Sequence, residues 1–406
     1  MSTSGAPTIP NARARTCVWA FSLLATLAAV FAWFGLFLSP GDSGWRNRLH
    51  LSIIEPHRLA SGTWISGLST DGTIAVGSRG GLDRRAVVLE VSSLPPPPGS
   101  PAHVWTELPI GRGRASAASA ATNDMIVGAA DGYAALWMKG ASGRWERERE
   151  LLSAVAQSPG VCAGISADGN TIVGTAQRPS SYDDIDAPMM LDAWVVRFDS
   201  GQVNAQWLEI PDSTMTVATA ISTNGETVLA NASVRSPKPI VLRVDSIFEN
   251  KRTPAISLPS DGFVAKALAR NGSLVFGFVT GSVGTEDSFD RLAVVATDNN
   301  LSPLRALPLG GSRHWSRALA CTPDGTAVVG DCGTVDSTVA TLWYKDVPFN
   351  LDLTARLAGK LPTGWRLSAG SAVAASPRGH GWYRIAGEAI HEDTGSASGF
   401  ILDVQP

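Results

Sequence analysis

One pattern recurs seven times along this chain, and it limits what the chain can fold into. A stretch of small residues leads to a two-residue turn signal, and a short apolar segment then ends, usually in glycine. The copies read SGLSTDGTIAVG, SAASAATNDMIVG, AGISADGNTIVG, TAISTNGETVLA, KALARNGSLVFG, ALACTPDGTAVVG and a degenerate SAVAASPRGHGWYRIAG. Their closing residues are Gly77, Gly128, Gly174, Ala230, Gly277, Gly330 and Gly387. The steps between them run from 46 to 57 residues, which is the spacing of a repeat whose loops vary while its strands do not.

Each copy predicts a hairpin. Asp71 and Gly72, Asp168 and Gly169, Asn224 and Gly225, Asn271 and Gly272, and Asp324 and Gly325 form strong hairpin signals, read here as type I′ turns with positive φ at both central residues. Asn123 and Asp124 take this place in the second copy, and Arg378 and Gly379 in the seventh. Third strands are predicted over 84–91, 133–138, 192–198, 239–244, 291–297, 339–344 and 399–404. Weaker fourth strands are predicted over 103–109, 144–152, 206–211, 254–259, 304–309 and 350–357. Four strands per repeated unit make a propeller blade.

The seventh unit has no fourth strand of its own, since the chain ends at Pro406. An unpaired segment over 51–59 precedes the first unit and is expected to complete the last blade. That closure would remove the exposed sheet edges. The expected fold is all-β: a β-propeller of seven four-stranded blades, preceded by one N-terminal transmembrane helix. An open β-solenoid or two stacked sandwiches are the competing folds, and the weak second and seventh units also admit six or eight blades.

The helix is read from residues 17–38, CVWAFSLLATLAAVFAWFGLFL, which carry no charge over 22 positions. As a helix they would reach roughly 33 Å, enough to cross a bilayer. The competing reading is a cleaved signal peptide, whose apolar core is normally about 7–15 residues and ends at a small-residue site. Here the run is longer and leaves through FLSPGDSG. The expected organisation is a cytoplasmic tail over 1–16, an anchor over 17–38, a linker over 39–48 and the propeller over 49–406. Arg13 and Arg15 precede the anchor and Arg46 and Arg48 follow it, so the arginines leave the orientation nearly balanced.

The third unit, with Ile165, Ser166, Asp168, Gly169 and Gly174 followed by Asp192, Ala193 and Trp194, resembles the HAF family of bacterial extracellular repeats. The resemblance extends over most of 50–404. It implies export and a propeller-like fold, and it orients the anchor with the propeller outside the cytoplasm. It implies no reaction. Where the family has H-A-F, this chain has DAW, AALW and TLW. Sialidase-type Asp-boxes place a residue between Asp and Gly, which are adjacent here, and the recurring Trp-Asp of WD40 blades is absent.

The chemistry-bearing residues form no specific constellation. His50, His57, His103, His314, His380 and His391 share no metal-ligand spacing. There is no GxSxG elbow, Walker A loop or dinucleotide fingerprint, so no cofactor is expected. The acidic run over 182–186 reads as a solvated loop, the prolines over 95–98 as a stiff connector, and the alternating charges over 144–150 as an exposed edge strand. Unpaired thiols are the simpler expectation for Cys162, Cys321 and Cys332, although an exported domain could bridge the last two.

Lys266 and Arg317 stand out because each precedes Ala-Leu-Ala in its unit. Neighbouring blades would then present two cations at one register, where other blades have Ser66, Ala163 and Thr219. They are the candidate binding residues, an anion-attracting patch on the inner strands, set against the plainer reading of two charges at the channel mouth. A net charge of −3 gives no basic field for nucleic acid.

The expected function is a non-enzymatic interaction or scaffold module. It would be held in the inner (plasma) membrane by a single pass, with its main domain periplasmic or extracellular. Its partner would be another envelope protein or a surface polymer. The alternative is an exported hydrolase or lyase with its site at the axial channel, which would need carboxylates or histidines on the inner strands.

Overall fold

The computed structural model describes residues 49–406 apart from 54–61, 81–82, 92–104, 111–114, 149–150, 153–154, 156, 179–189, 209, 211–212, 234–236, 250–255, 258–261, 283–288, 298–303, 310–314, 335–336 and 358. The tail, anchor and linker expected over 1–48 lie outside the described residues, as do the acidic run over 182–186 and the prolines over 95–98. Among the described residues no helix is long and apolar enough to cross a membrane.

The first strand, β1 (Leu49–Ile53), stands apart from the blade that follows it. Blade 1 holds β2 (Thr63–Leu68), β3 (Ile74–Arg79), β4 (Arg85–Glu90) and β5 (Thr106–Glu107). Blade 2 holds β6 (Ser116–Ala121), β7 (Met125–Ala130), β8 (Tyr133–Lys139) and β9 (Trp145–Glu148). Blade 3 holds β10 (Gly160–Ile165), β11 (Thr171–Arg178), β12 (Met190–Asp199) and β13 (Gln202–Trp207). Blade 4 holds β14 (Met215–Ile221), β15 (Thr227–Ser233), β16 (Pro237–Arg243) and β17 (Ile256–Ser257), with a short helix α1 (Val244–Phe248). Blade 5 holds β18 (Phe263–Ala269), β19 (Leu274–Ser282), β20 (Phe289–Thr297) and β21 (Arg305–Ala306). Blade 6 holds β22 (Trp315–Cys321), β23 (Ala327–Gly333), β24 (Thr338–Tyr344) and β25 (Val347–Asn350), followed by α2 (Leu351–Leu357). Blade 7 holds β26 (Trp365–Ala375), β27 (Tyr383–His391) and β28 (Ala397–Val404), and β1 is its fourth strand.

Consecutive first strands lie beside one another from β2 through β26 and back to β2, so the seven sheets form a ring. The core is divided among the gaps between blades. Val76 and Val88 of blade 1 pack with Ile126 and Trp137 of blade 2. At the closure, Ile65 and Leu89 of blade 1 pack with Ala386 and Ile401 of blade 7. Each sheet therefore hides its apolar face only against its neighbours.

The closing glycines have a common cause. In every blade the first strand bulges just after the residue opposite this position, as between Ile65 and Gly67 and between Ala318 and Ala320. The bulge pushes backbone against the second strand. A Cβ at Gly77 would lie 1.8 Å from the Trp64 carbonyl oxygen, and one at Gly330 would lie 1.8 Å from that of Arg317. A side chain does not fit without local rearrangement, and Ala230 in blade 4 shows that rearrangement is tolerated once.

The turns differ from the type I′ expectation. Gly72, Gly169, Gly225 and Gly325 have positive φ, but the preceding Asp or Asn does not. In blade 1 the Gly72 N–H donates to the Ser69 carbonyl and the Ser69 N–H to the Ile74 carbonyl, so a type I turn runs into a left-handed glycine within a longer loop. The aspartate has a different task. Asp168 Oδ1 accepts from Ser166 Oγ at 2.5 Å, while Ser166 Oγ accepts the Thr171 N–H at 2.9 Å. Asp71 with Ser69, Asn224 with Ser222, and Asp324 with Thr322 repeat this tie. Blade 5 is the exception that meets the expectation: Asn271 and Gly272 are both at positive φ, and Arg270 before them is as well.

One further expectation is corrected, and the structure places the cysteines and the third-strand tryptophans. The segment over 350–357 forms helix α2 rather than a fourth strand, and β25 precedes it. Leu351 and Ala355, one turn apart, are buried against blades 6 and 7. Cys321 and Cys332 form no disulfide, in line with the simpler expectation: Cys321 pairs with Val328 near one end of the β22–β23 ladder and Cys332 with Ser316 near the other. The tryptophans of DAW, AALW and TLW do not share a register either. Trp194 stands opposite Gly174, whereas Trp137 and Trp343 stand two residues further along their strands.

Candidate functional site

Along the first strands, residues alternate between buried and partly exposed. Ile65, Ala118, Cys162, Ala218, Ala265 and Ala318, each opposite a closing residue, are buried. The residues on either side of them are partly exposed and line the axial channel. At the bulge this second set comprises Lys266, with Ser66, Ser119, Ala163, Thr219, Leu319 and Ser371 in the other blades.

The register separates the two predicted site residues. Lys266 is the bulge residue of blade 5. Arg317 precedes the buried Ala318 and sits two positions earlier, level with Val264 rather than with Lys266. Equal spacing from Ala-Leu-Ala was misleading because the loop after that tripeptide is longer in blade 6 than in blade 5. The two cations are still close enough to interact. Burial pushes the Lys266 ammonium below its usual range, and the charge of Arg317 pushes it the same way.

Arg317 is already answered. Its Nε donates to Asp331 Oδ1 at 3.0 Å, its Nη2 donates to Oδ2, and its guanidinium lies over the Trp315 ring. Asp331 is buried, on the second strand directly after Gly330. Thr175 and Asn231 hold that place in blades 3 and 4 and bind the backbone of the next blade, at Ala218 and Ala265. In blade 7 it is held by Glu388. Burial pushes the Glu388 carboxyl up; the Ser368 hydroxyl, 3.2 Å away, opposes this, and the nearby charge of Asp331 adds to it. Arg366 lies nearby, its Nη1 donating to the Thr338 carbonyl.

Charge is therefore gathered where blades 5, 6 and 7 meet, while blades 1 to 4 carry Ser78, Ala129, Thr175 and Asn231 at the post-glycine position. Lys266 and Arg317 were legible in the sequence, whereas Asp331 and Glu388 were not. The signal that could have found them is the residue after each closing glycine, which turns acidic only in the last two blades. No three His, Cys, Asp or Glu side chains converge as a metal site among the described residues.

The two rims of the ring also differ. Leu49 pairs with Val404, Val404 with Tyr383 and Tyr383 with Ala375, so the chain enters blade 7 at the rim that carries the hairpin loops. Trp64, Tyr133, Val161, Leu191 and Met215 are exposed large apolar residues at the opposite ends of their strands. Trp64 is 49% exposed beneath the Arg84 guanidinium. Val203 and Val347 are exposed on the hairpin side.

These features define a class, the seven-bladed β-propeller with four-stranded blades. No protein-family model matches the sequence, and no curated protein matches it. Among solved structures it is similar to TolB from Acinetobacter baumannii, with 11% identity and a TM-score of 0.39 over 71% of this chain and 61% of that one. It is also similar to a chain from a study of two prolyl endopeptidases, with 10% identity and a TM-score of 0.45 over 95% of this chain and 55% of that one. The protein thus spans less than two thirds of either. At these values the likeness carries nothing about activity.

Proposed function

We propose that this protein is a single-pass inner-membrane protein whose extracytoplasmic propeller is a non-enzymatic interaction or scaffold module. The observation that carries the reading is the placement of Trp64, Tyr133, Val161, Leu191 and Met215 on the rim away from Leu49. Apolar and aromatic side chains gathered on one face are the usual anchors of a protein interface. The apolar run over 17–38 supports the membrane anchor, and the HAF-like motif supports export. The partner is another envelope protein or a surface polymer. Among the described residues, a hydrolase or lyase would find its carboxyl groups in Asp331 and Glu388 at the boundary of blades 6 and 7.

The test is co-purification after gentle detergent extraction, comparing the unaltered protein with a Tyr133→Asp, Met215→Asp variant. The unaltered protein retains a stoichiometric partner and the variant loses it. Recovery of the unaltered protein alone, or retention of the partner by the variant, contradicts the reading.

A further inference from the structure

The axial channel combines an apolar wall with a cation, Lys266, that has no counter-charge among the described residues. Trp64, Val161, Val217 and Val264 each precede the buried first-strand residue in blades 1, 3, 4 and 5, and all are partly exposed. Arg317 takes the same place in blade 6, where Asp331 meets its charge.

Lys266 lies at the bulge, one residue past Ala265. Elsewhere this position reaches towards the next blade: Ser66 Oγ donates to the Ala118 carbonyl and Ser371 Oγ to that of Ile65, each at 2.5 Å. The same register turns Lys266 towards Ala318, beside Arg317. Among the described residues no ion pair or hydrogen bond answers its ammonium. A half-buried ammonium without a partner is unfavourable, and an incoming anion would relieve it.

We propose that the channel binds an amphiphilic carboxylate, with its apolar body against Trp64, Val161, Val217 and Val264 and its carboxylate on Lys266. An inorganic anion would leave the apolar wall unused, and a cation would meet the charge of Lys266. A short fatty acid and the free C-terminus of an apolar peptide share this chemistry. Trp64 and Val161 stand where the channel opens on the rim and so serve both readings, but the Tyr133→Asp, Met215→Asp variant that tests rim docking leaves them and Lys266 in place, so the two readings fail separately.

The test is calorimetric titration of the full-length protein in lipid nanodiscs with N-acetyl-leucyl-leucine, its carboxamide and hexanoate. An acid probe binds saturably. When the dipeptide acid binds, it does so at least about tenfold more tightly than its carboxamide, a difference of roughly 1.4 kcal/mol. Lys266→Met abolishes the binding of the acids beyond the level of the carboxamide, with its thermal unfolding still cooperative. Binding of hexanoate without the dipeptide acid identifies a lipid source, and the reverse identifies a peptide terminus. Equal affinity for acid and carboxamide, no saturable binding of either acid up to about 10 mM, or unchanged acid binding in Lys266→Met overturns the proposal.

Discussion

Arg384 and Asp403 form a buried bidentate ion pair in blade 7, with Nε to Oδ1 at 2.7 Å and Nη2 to Oδ2 at 2.9 Å. The remaining nitrogen, Nη1, donates to the Gly72 carbonyl at 2.7 Å, so one guanidinium joins the last blade to the first hairpin loop. Arg378 and Ser376 also bond to Asp403. The closure of the ring thus has a polar latch beside its apolar seam.

Removing one side of the latch leaves a buried charge short of partners. Arg384→Leu is expected to lower stability by about 3–5 kcal/mol. Adding Asp403→Leu is expected to recover part of that loss, because the second change removes the stranded carboxylate. Chemical denaturation of the two variants checks this, and a double variant no more stable than the single one contradicts it.

The same region gives a pH dependence. Burial alone would raise the Asp403 carboxyl, but the hydrogen bonds and charge of Arg384, with Arg378 and Ser376, bring it below its usual range. Its contribution is present above the unfolded value of about 3.9 and is lost as pH falls through the lower folded value. His50 faces Asp403 across the β1–β28 ladder, and burial followed by the charges of Arg378 and Lys360 outweighs Asp403 and lowers its pKa. Its contribution is present above about 6.5 and declines as pH drops below that. Stability should fall in two stages on acidification, and His50→Gln should remove the upper stage alone. A single acid transition unaltered by His50→Gln would contradict the assignment.

Lys266 is expected to tolerate an apolar replacement. Its ammonium is partly buried next to Arg317, so Lys266→Met should leave stability unchanged or raise it by up to about 1 kcal/mol. A loss of more than that in urea titration would mean that the lysine has a structural partner.

Gly174 offers a steric test. A Cβ there would lie 2.2 Å from the Trp194 ring and 2.4 Å from the Val161 carbonyl oxygen. Gly174→Ala should cost about 1–3 kcal/mol, the range of an overpacked core. Gly201→Ala meets no atom within 4 Å, and only its φ of +83° resists the change, so about 1 kcal/mol is expected there. Thermal midpoints of the two variants should fall in that order.

The architecture was legible because its requirements are local and repeated. A closing glycine is needed wherever the bulged first strand crowds the second, and the Ser-x-Asp-Gly run is needed wherever a serine ties its loop, so both survive as written motifs. The alternation in the sequence over 350–357 suits a strand, but the spacing of Leu351 and Ala355 suits a helix equally well, and packing on blades 6 and 7 decided it. The charged sector was legible only in part. Lys266 and Arg317 follow one local pattern, yet their levels depend on bulge register and loop length, which the tripeptide after them does not encode. The Asp331–Arg317 pair joins residues 14 apart across a hairpin, and its meaning appears only when the same place is compared around the ring.

The account turns on a ring closed by β1, the strand that precedes blade 1 in the sequence and completes blade 7. Ser52 is paired with Ile401 in the β1–β28 ladder, and cysteines at directly opposed positions of an antiparallel pair come close to disulfide reach. Under mild oxidation a Ser52→Cys, Ile401→Cys variant is predicted to form a crosslink that changes its mobility on a non-reducing gel. A chain that stays uncrosslinked, or that crosslinks only when the second cysteine is moved to a residue other than 401, would contradict the closure.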